Sequence, residues 1–491
     1  MVNMITPESC GISSAVIENF LRHLNENGYA MHSVLMSLYG KIFTDSYWKP
    51  FDSETHHRLN SVSKSFVGLA IGLLIEKGKL NLYDKVHTFF PESCPEKLHP
   101  DIESETIYDL LTMCTFMGEE KMHWVRDKVY DRQSFYLSQP APHPNGTFFQ
   151  YDSPGNFMLG CIVEKITGKP FMEYLKDKML REMGFSEDTK CIKGPDGYSW
   201  ADSGVLCRPR DLHKFARFLM DGGKYEGKQY LNEAFVRKAT SKIVASNTSG
   251  YNLYTSRGYG FQIWQHFDGG FALNGMGGQF AWCFPEYDFI IVTTADNQGN
   301  EGFKYVLADM VHNELLKNLK KEPLPENSAA LESLRKYESN MELVCLEGDA
   351  ASPCAKDVYG KTYTLSENPM NIKWLRITAE GDEGILEYEN AQGIKKLPFG
   401  ICKNVYTIFP EEGYPDMKMG VFEKGNYFPC ASSAVWQDDH TFAIRVQMTG
   451  KHLGALYIRI GFTENRLGAR FMKNTNCFLH EYHGYAEGKI N

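Results

Sequence analysis

Residues 58–78 read RLNSVSKSFVGLAIGLLIEKG, and this stretch decides how the rest of the chain is read. Positions 66–75 are apolar apart from Gly68 and Gly72. Ten residues cannot span a bilayer, so the run predicts a buried core helix. Gly78 is its natural stop, with Glu76 and Lys77 in the last turn. On a 3.6-residue period Ser61, Lys64, Ser65, Gly68 and Gly72 share one face, and Val62, Phe66, Leu69 and Leu73 another. A hydroxyl and an amine therefore sit one turn apart where a buried helix begins. A neutral Lys64 would take the proton of Ser61 as its oxygen attacks a carbonyl. Burial disfavours an ammonium, and a helix N-terminus offers free N–H groups to an oxyanion. The plainer alternative is an N-cap serine beside a snorkelling lysine. Ser-x-x-Lys also occurs at Ser46/Lys49, in a strand-like run before Pro50, and at Ser333/Lys336, in a charged, solvated helix. Only Ser61 opens a buried apolar helix.

At 491 residues the chain has room for two or three domains. Hydrophobic residues make up 43% and charged residues 23%, as in ordinary globular proteins. The net charge of -9 argues against a general nucleic-acid surface. The twelve cysteines are scattered without C-x-x-C or metal-like spacing, and read as reduced residues of a cytoplasmic protein. The N-terminus shows neither a charged nor an apolar signal region, and no run reaches transmembrane length. No H-E-x-x-H is present among the fifteen histidines, so no metal or other cofactor is expected.

In chain order, residues 14–26 have helical periodicity. Val34, Met36 and Leu38 alternate up to a turn at Gly40-Lys41, and a second strand runs to Tyr47, making a hairpin. A helix, a hairpin and a buried helix in succession predict an antiparallel sheet covered by helices. The His-, Pro- and aromatic-rich stretch 116–150 is expected to wind over the surface near a site. Asp152 or Ser153 would cap a helix from about Pro154 to Ile166. Tyr151 then lies on a tight turn, either as an exposed turn residue or as a proton-transfer partner for a nearby lysine. A helix is expected at 209–220, a strand at 259–265, two strands around a turn at 285–288, and a helix at 300–318. Gly275, Gly277 and Gly278, before the first of those two strands, suggest the close approach of a backbone or ligand. A charged, proline-bearing linker with some helix is expected at 326–345. Beyond it, Phe442/Ile444/Val446/Met448 and Leu456/Ile458/Ile460/Phe462 alternate with outward residues, as in an all-β barrel or sandwich.

Three pieces line up in order: Ser61-Val62-Ser63-Lys64, Tyr151-Asp152-Ser153, and Gly275-Met276-Gly277-Gly278-Gln279 leading into a strand. Together with HRLNSVSKSF, NGTFFQYDSPGNFMLG and GMGGQFAWCFPEYDFIIVTTAD, they resemble the serine β-lactamase and penicillin-binding-protein superfamily. The likeness is strongest to the branch of class C β-lactamases, D-aminopeptidases, family VIII esterases and 6-aminohexanoate-dimer hydrolases, and covers most of residues 10–315. It implies an α/β sandwich, an antiparallel sheet flanked by helices with a helical lobe, over residues 1–325. It also implies a lipocalin-like barrel over 346–491. Carried over, it makes Ser61 the nucleophile, Lys64 the base and Tyr151 the proton shuttle to the leaving group. The backbone N–H groups of Ser61 and Gln279 would form the oxyanion hole, with Ser153, Met276, Gly277 and Gly278 beside the substrate.

Two positions depart from the family pattern. Ser153 stands where an Asn is usual, and Met276-Gly277-Gly278 where Lys-Thr-Gly or His-x-Gly is usual. Met276 brings no charge to a substrate carboxylate, and Ser153 cannot present an amide. Neutral esters and amides are thus expected to fit better than β-lactams, unless an arginine such as Arg58 or Arg208 compensates. The expected function is hydrolysis of a small ester or amide through an acyl-enzyme, with no nucleic-acid or membrane partner. Acyl transfer to an acceptor other than water is the enzymatic alternative, and a non-catalytic binding or sensor module the other. There is no G-x-S-x-G to support an α/β-hydrolase.

Overall fold

A short loop with the right backbone sign sets the first hairpin. Tyr39 and Gly40 both have positive φ, 51° and 71°, which matches the twist of strands joined by a two-residue turn. The strands Met31–Leu38 and Lys41–Tyr47 follow from it. The computed structural model describes residues 5–115, 131–139, 143–194, 196–246, 257–300, 302–411, 427–475 and 478–490. Much of the 116–150 stretch lies outside the described residues.

By Cα packing the chain divides into two compact units, one running from Met1 to Met341 and the other essentially from Glu342 to Asn491. The first unit holds an antiparallel seven-stranded sheet. Its order is Lys41–Tyr47, Met31–Leu38, Phe289–Ala295, Gln279–Phe284, Phe271–Gly275, Trp264–Gln265, Gly258–Tyr259. The middle strands are buried along their whole length, as expected for a sheet covered on both faces. The helix Ser14–Glu26 packs Phe20 and Leu24 into one core with Phe303, Leu307 and Leu334. The helix Pro209–Met220 lies on the strands Gln279–Phe284 and Phe289–Ala295, and its Phe215 ring stacks on Phe66 at 3.8 Å. This is the expected α/β sandwich.

Two details differ from the sequence reading. Residues 271–295 form three strands rather than two, because Gly275 ends a strand of its own and residues 276–278 turn the chain back. The expected strand at 259–265 is a small hairpin, with Gln262 at φ 61° between its arms. Residues 326–345, expected as a linker with some helix, contain the helix Ser328–Asn340. Leu334 of that helix is fully buried, Asn25 Nδ2 donates to Tyr337 Oη at 2.6 Å, and Ser46 Oγ donates to Glu338 Oε1 at 2.6 Å.

The second unit is the expected β-barrel. Nine strands form a ring: Gly393–Ile401, Glu383–Asn390, Trp374–Glu380, Thr362–Leu365, Gly484–Ile490, Arg466–Asn474, Ala455–Phe462, Thr441–Met448 and Phe428–Trp436. The ring closes where Phe428–Trp436 meets Gly393–Ile401 in parallel, and Val405–Phe409 is a tenth strand added on Phe428–Trp436. Phe442, Ile444, Val446 and Met448, with Leu456, Ile458 and Ile460, are buried as expected, but so are Ala443, Arg445 and Gln447, which alternate with them.

Candidate active site

Ser61 sits in the 3-10 turn Asn60–Val62, which runs into the helix Ser63–Glu76. The entry is clasped from one side by the strand Val205–Cys207. Leu59 N–H donates to Val205 O at 2.8 Å, and Val205 N–H donates to Ser63 Oγ at 3.0 Å. Every side chain from Ser63 to Leu74 is buried. The small face of the helix exists for its neighbours: a Cβ on Gly72 would lie 2.4 Å from the Phe235 ring, and one on Gly68 3.2 Å from Gln262 Cβ. Gln262 in turn ties several elements together. Its carbonyl accepts from Ser65 Oγ at 2.7 Å, its Nε2 donates to Leu110 O at 2.7 Å, and its Oε1 accepts from Asn156 Nδ2 at 3.1 Å.

Lys64 is 1% exposed. Its Nζ donates to Ser61 Oγ at 3.1 Å and to Asp202 O at 2.8 Å, and lies 4.0 Å from Asp202 Oδ2. The hydroxyl and the amine expected one turn apart are therefore in hydrogen-bond contact. Tyr151 stands at the end of this group, with its ring centre 5.1 Å from Lys64 Nζ. Its ring stacks on Trp264 at 5.4 Å and 21°. Asp152, not Ser153, caps the following helix Ser153–Thr167, accepting from Gly155 N–H at 2.9 Å. Ser153 is its buried first residue.

The turn at residues 275–279 approaches Ser61 from the sheet. A Cβ on Gly275 would fall 2.2 Å from Leu59 O, so the two backbones touch, as the glycine pattern suggested. Asn60 Nδ2 donates to Met276 O at 2.9 Å. On the far side Asn297 N–H donates to Gly277 O at 2.9 Å, and Thr293 Oγ1 to Gly278 O at 2.8 Å. Gln279 stands opposite Gly275 in the hairpin and is 0% exposed. Its amide donates to Ala295 O and to Met276 O. Met276 is 37% exposed, the outward residue of the turn.

Of the two arginines named as sources of charge, Arg208 is paired with Glu54 at 2.8 Å. Arg58 is buried, with its Nε donating to Asn60 Oδ1 at 3.1 Å. Lys304 Nζ lies 5.7 Å from the Trp264 ring centre, and burial pulls its pKa down to about 8. Asn60, Asn156, Asp202, Gln262 and Trp264 were not singled out in the sequence. Asn60 adjoins Ser61 in the chain but belongs to no short motif, and only the fold brings the other four to the site. Among the described residues no group of three metal-binding side chains is placed to hold an ion, and no helix is long and apolar enough to cross a membrane.

The Beta-lactamase family model matches residues 17–311, well over half of the chain. The chain belongs to the Beta-lactamase family. It is a serine hydrolase of that family. It is 24% identical over 271 residues to the 6-aminohexanoate-dimer hydrolase of Paenarthrobacter ureafaciens, covering 51% of this chain and 69% of the relative. It is 29% identical over 124 residues to an N-acetylmuramyl-L-alanine amidase of Bacillus subtilis, covering 23% of this chain and only 28% of that one. Among solved structures, a β-lactamase-like protein from Bacteroides dorei superposes with a TM-score of 0.51 at 15% identity. The match covers 61% of this chain and 98% of that one, and it is a likeness of fold.

Proposed function

We propose that this family member cleaves a small ester or amide through an acyl-enzyme on Ser61. The observation that carries the reading is the 3.1 Å contact between Lys64 Nζ and Ser61 Oγ at the mouth of a buried helix. As Ser61 Oγ attacks the carbonyl carbon, Lys64 takes its proton, while Asp202 O holds the amine in line. The charge that develops on the carbonyl oxygen is stabilised by the backbone N–H groups of Ser61 and Gln279. Tyr151, beside Lys64, passes the proton to the leaving group. Water then attacks the ester formed on Ser61 with Lys64 taking its proton, and as the acyl carbon–Oγ bond breaks Lys64 returns that proton to Ser61 Oγ. Membership of the family and the hydrolase among the relatives support esterase or amidase chemistry. Met276 gives the turn no charge, which favours neutral acyl substrates over carboxylate-bearing ones.

The test is fluorophosphonate labelling followed by peptide mapping. Ser61 is expected to be the labelled residue, and Ser61→Ala to abolish labelling and turnover in a folded protein. Short-chain aryl esters should be hydrolysed faster than cephalosporins. Labelling that survives in Ser61→Ala rules the assignment out, and cephalosporin turnover equal to the best ester rules out the reading of Met276.

A further inference from the structure

The residue before the nucleophile is in an unusual state. Asn60 has φ 48°, a left-handed conformation that glycine adopts at less cost. Yet the position carries an amide, and both ends of that amide are in use. Arg58 Nε donates to Asn60 Oδ1 at 3.1 Å, and Asn60 Nδ2 donates to Met276 O at 2.9 Å. Arginine has donors only, so the contact with Arg58 fixes which end of the amide is oxygen and turns its NH₂ to the Met276 carbonyl. The arginine is buried, 1% exposed, and its Cζ lies 5.2 Å from the centre of the Trp200 ring. Among the described residues no carboxylate pairs with it. A buried charge that does not neutralise an acid polarises the group it does touch, and an amide accepting from a cation is a stronger donor at its other end.

The Met276 carbonyl belongs to a turn that needs holding. Gly277 and Gly278 have φ 82° and 108°, so the turn is built from residues with wide conformational freedom. Its far side is tied to Asn297 and Thr293. Its Ser61 side is tied through Asn60. We infer that Arg58 and Asn60 are positioning residues, a two-step hydrogen-bond relay that holds the Met276 turn in register with Ser61. The inference rests on the reading of Ser61 as nucleophile. It assigns the amide at position 60 a role in the reaction rather than in the backbone bend alone.

Asn60→Gly separates the two roles, because glycine accepts φ 48° freely and removes only the amide. We expect Asn60→Gly to fold with a lower melting temperature, because the relief at φ 48° is outweighed by leaving the buried Arg58 guanidinium without its acceptor. Its acylation of Ser61 by a fluorophosphonate and its kcat on an aryl ester should be roughly 10- to 100-fold slower, with KM little changed. Asn60→Asp keeps the oxygen for Arg58 but sets a second acceptor against Met276 O, and should be at least as slow. If Asn60→Gly acylates as fast as the wild type, the amide serves only the bend and the relay is overturned. Should Asn60→Gly fail to fold, Asn60→Asp decides alone: a folded protein with wild-type acylation overturns the relay, and a slow one supports it. Failure of the underlying assignment looks different, because Ser61 would then go unlabelled in the wild type.

Discussion

Lys64 holds two residues of very different legibility. Its contact with Ser61 spans three positions and was readable from helical spacing alone. Its contact with Asp202 O spans 138 positions and follows from no local pattern; only the docking of the strand Val205–Cys207 beside the Ser61 turn creates it. The same division holds for Asn60, which in the sequence is an unremarked polar residue between Leu59 and Ser61. Tyr151 was readable as a turn residue before a helix, and the structure sets its ring against the Lys64 amine. Lys64→Ala and Tyr151→Phe should each slow acylation by about 10²- to 10⁴-fold, the usual contribution of a positioned proton-transfer group. Stopped-flow measurement of the acyl phase checks this. Wild-type rates in both variants would remove the proton relay while leaving Ser61 untouched.

Glycine decides how closely the elements around the site can meet. On the helix Ser63–Glu76 a methyl at Gly72 would meet a phenylalanine ring, which can turn aside. On the strand Phe271–Gly275 a methyl at Gly275 would meet the Leu59 carbonyl, which is backbone and cannot. Overpacking costs typically about 1–3 kcal/mol, and the two sites should divide that range. Gly72→Ala is expected to lose a little stability and keep its activity. Gly275→Ala should lose most of its esterase activity, because the turn at Met276 can relieve the clash only by moving off Ser61. Parallel melting curves and ester assays test the contrast, and equal activities in the two variants would contradict it. The strand ending at Gly275 was hard to read because all five of its positions are buried. Without alternation, FALNG looks like an approach to a strand rather than a strand. The hairpin at 258–265 was misread for the converse reason: its apolar pattern runs on through the turn at Gln262.

At the scale of the whole chain the two units differ in how plainly the sequence announces them. Period-two alternation over 442–462 showed the all-β unit, since every second side chain points into it. The end of the first unit was less visible. The helix Ser328–Asn340 is polar around most of its surface, with Leu334 fully buried and Tyr337 packed partly against the core, so composition made it look solvated. Alternation alone left a barrel or a sandwich open, and the expectation of a barrel came from the family resemblance; the pairing of Phe428–Trp436 with Gly393–Ile401 closes the ring. That closure has a consequence for the barrel as a mechanical object. A hoop is held by its shortest overlap, and here Gly400 opposite Ser433 and Ile401 opposite Ala434 are the whole of it, extended by Cys402 N–H donating to Ala434 O at 2.9 Å. The adjoining joint runs from Glu383 opposite Gly400 all the way to Asn390 opposite Gly393. The latch can therefore release while every hairpin stays zipped, turning the hoop into a curled ribbon without unfolding a strand. Native-state hydrogen exchange should find the Cys402 amide exchanging well before those of Ile458 and Ile460, two strands away from the latch. Equal protection at the two places would mean that the hoop opens only when the whole barrel does.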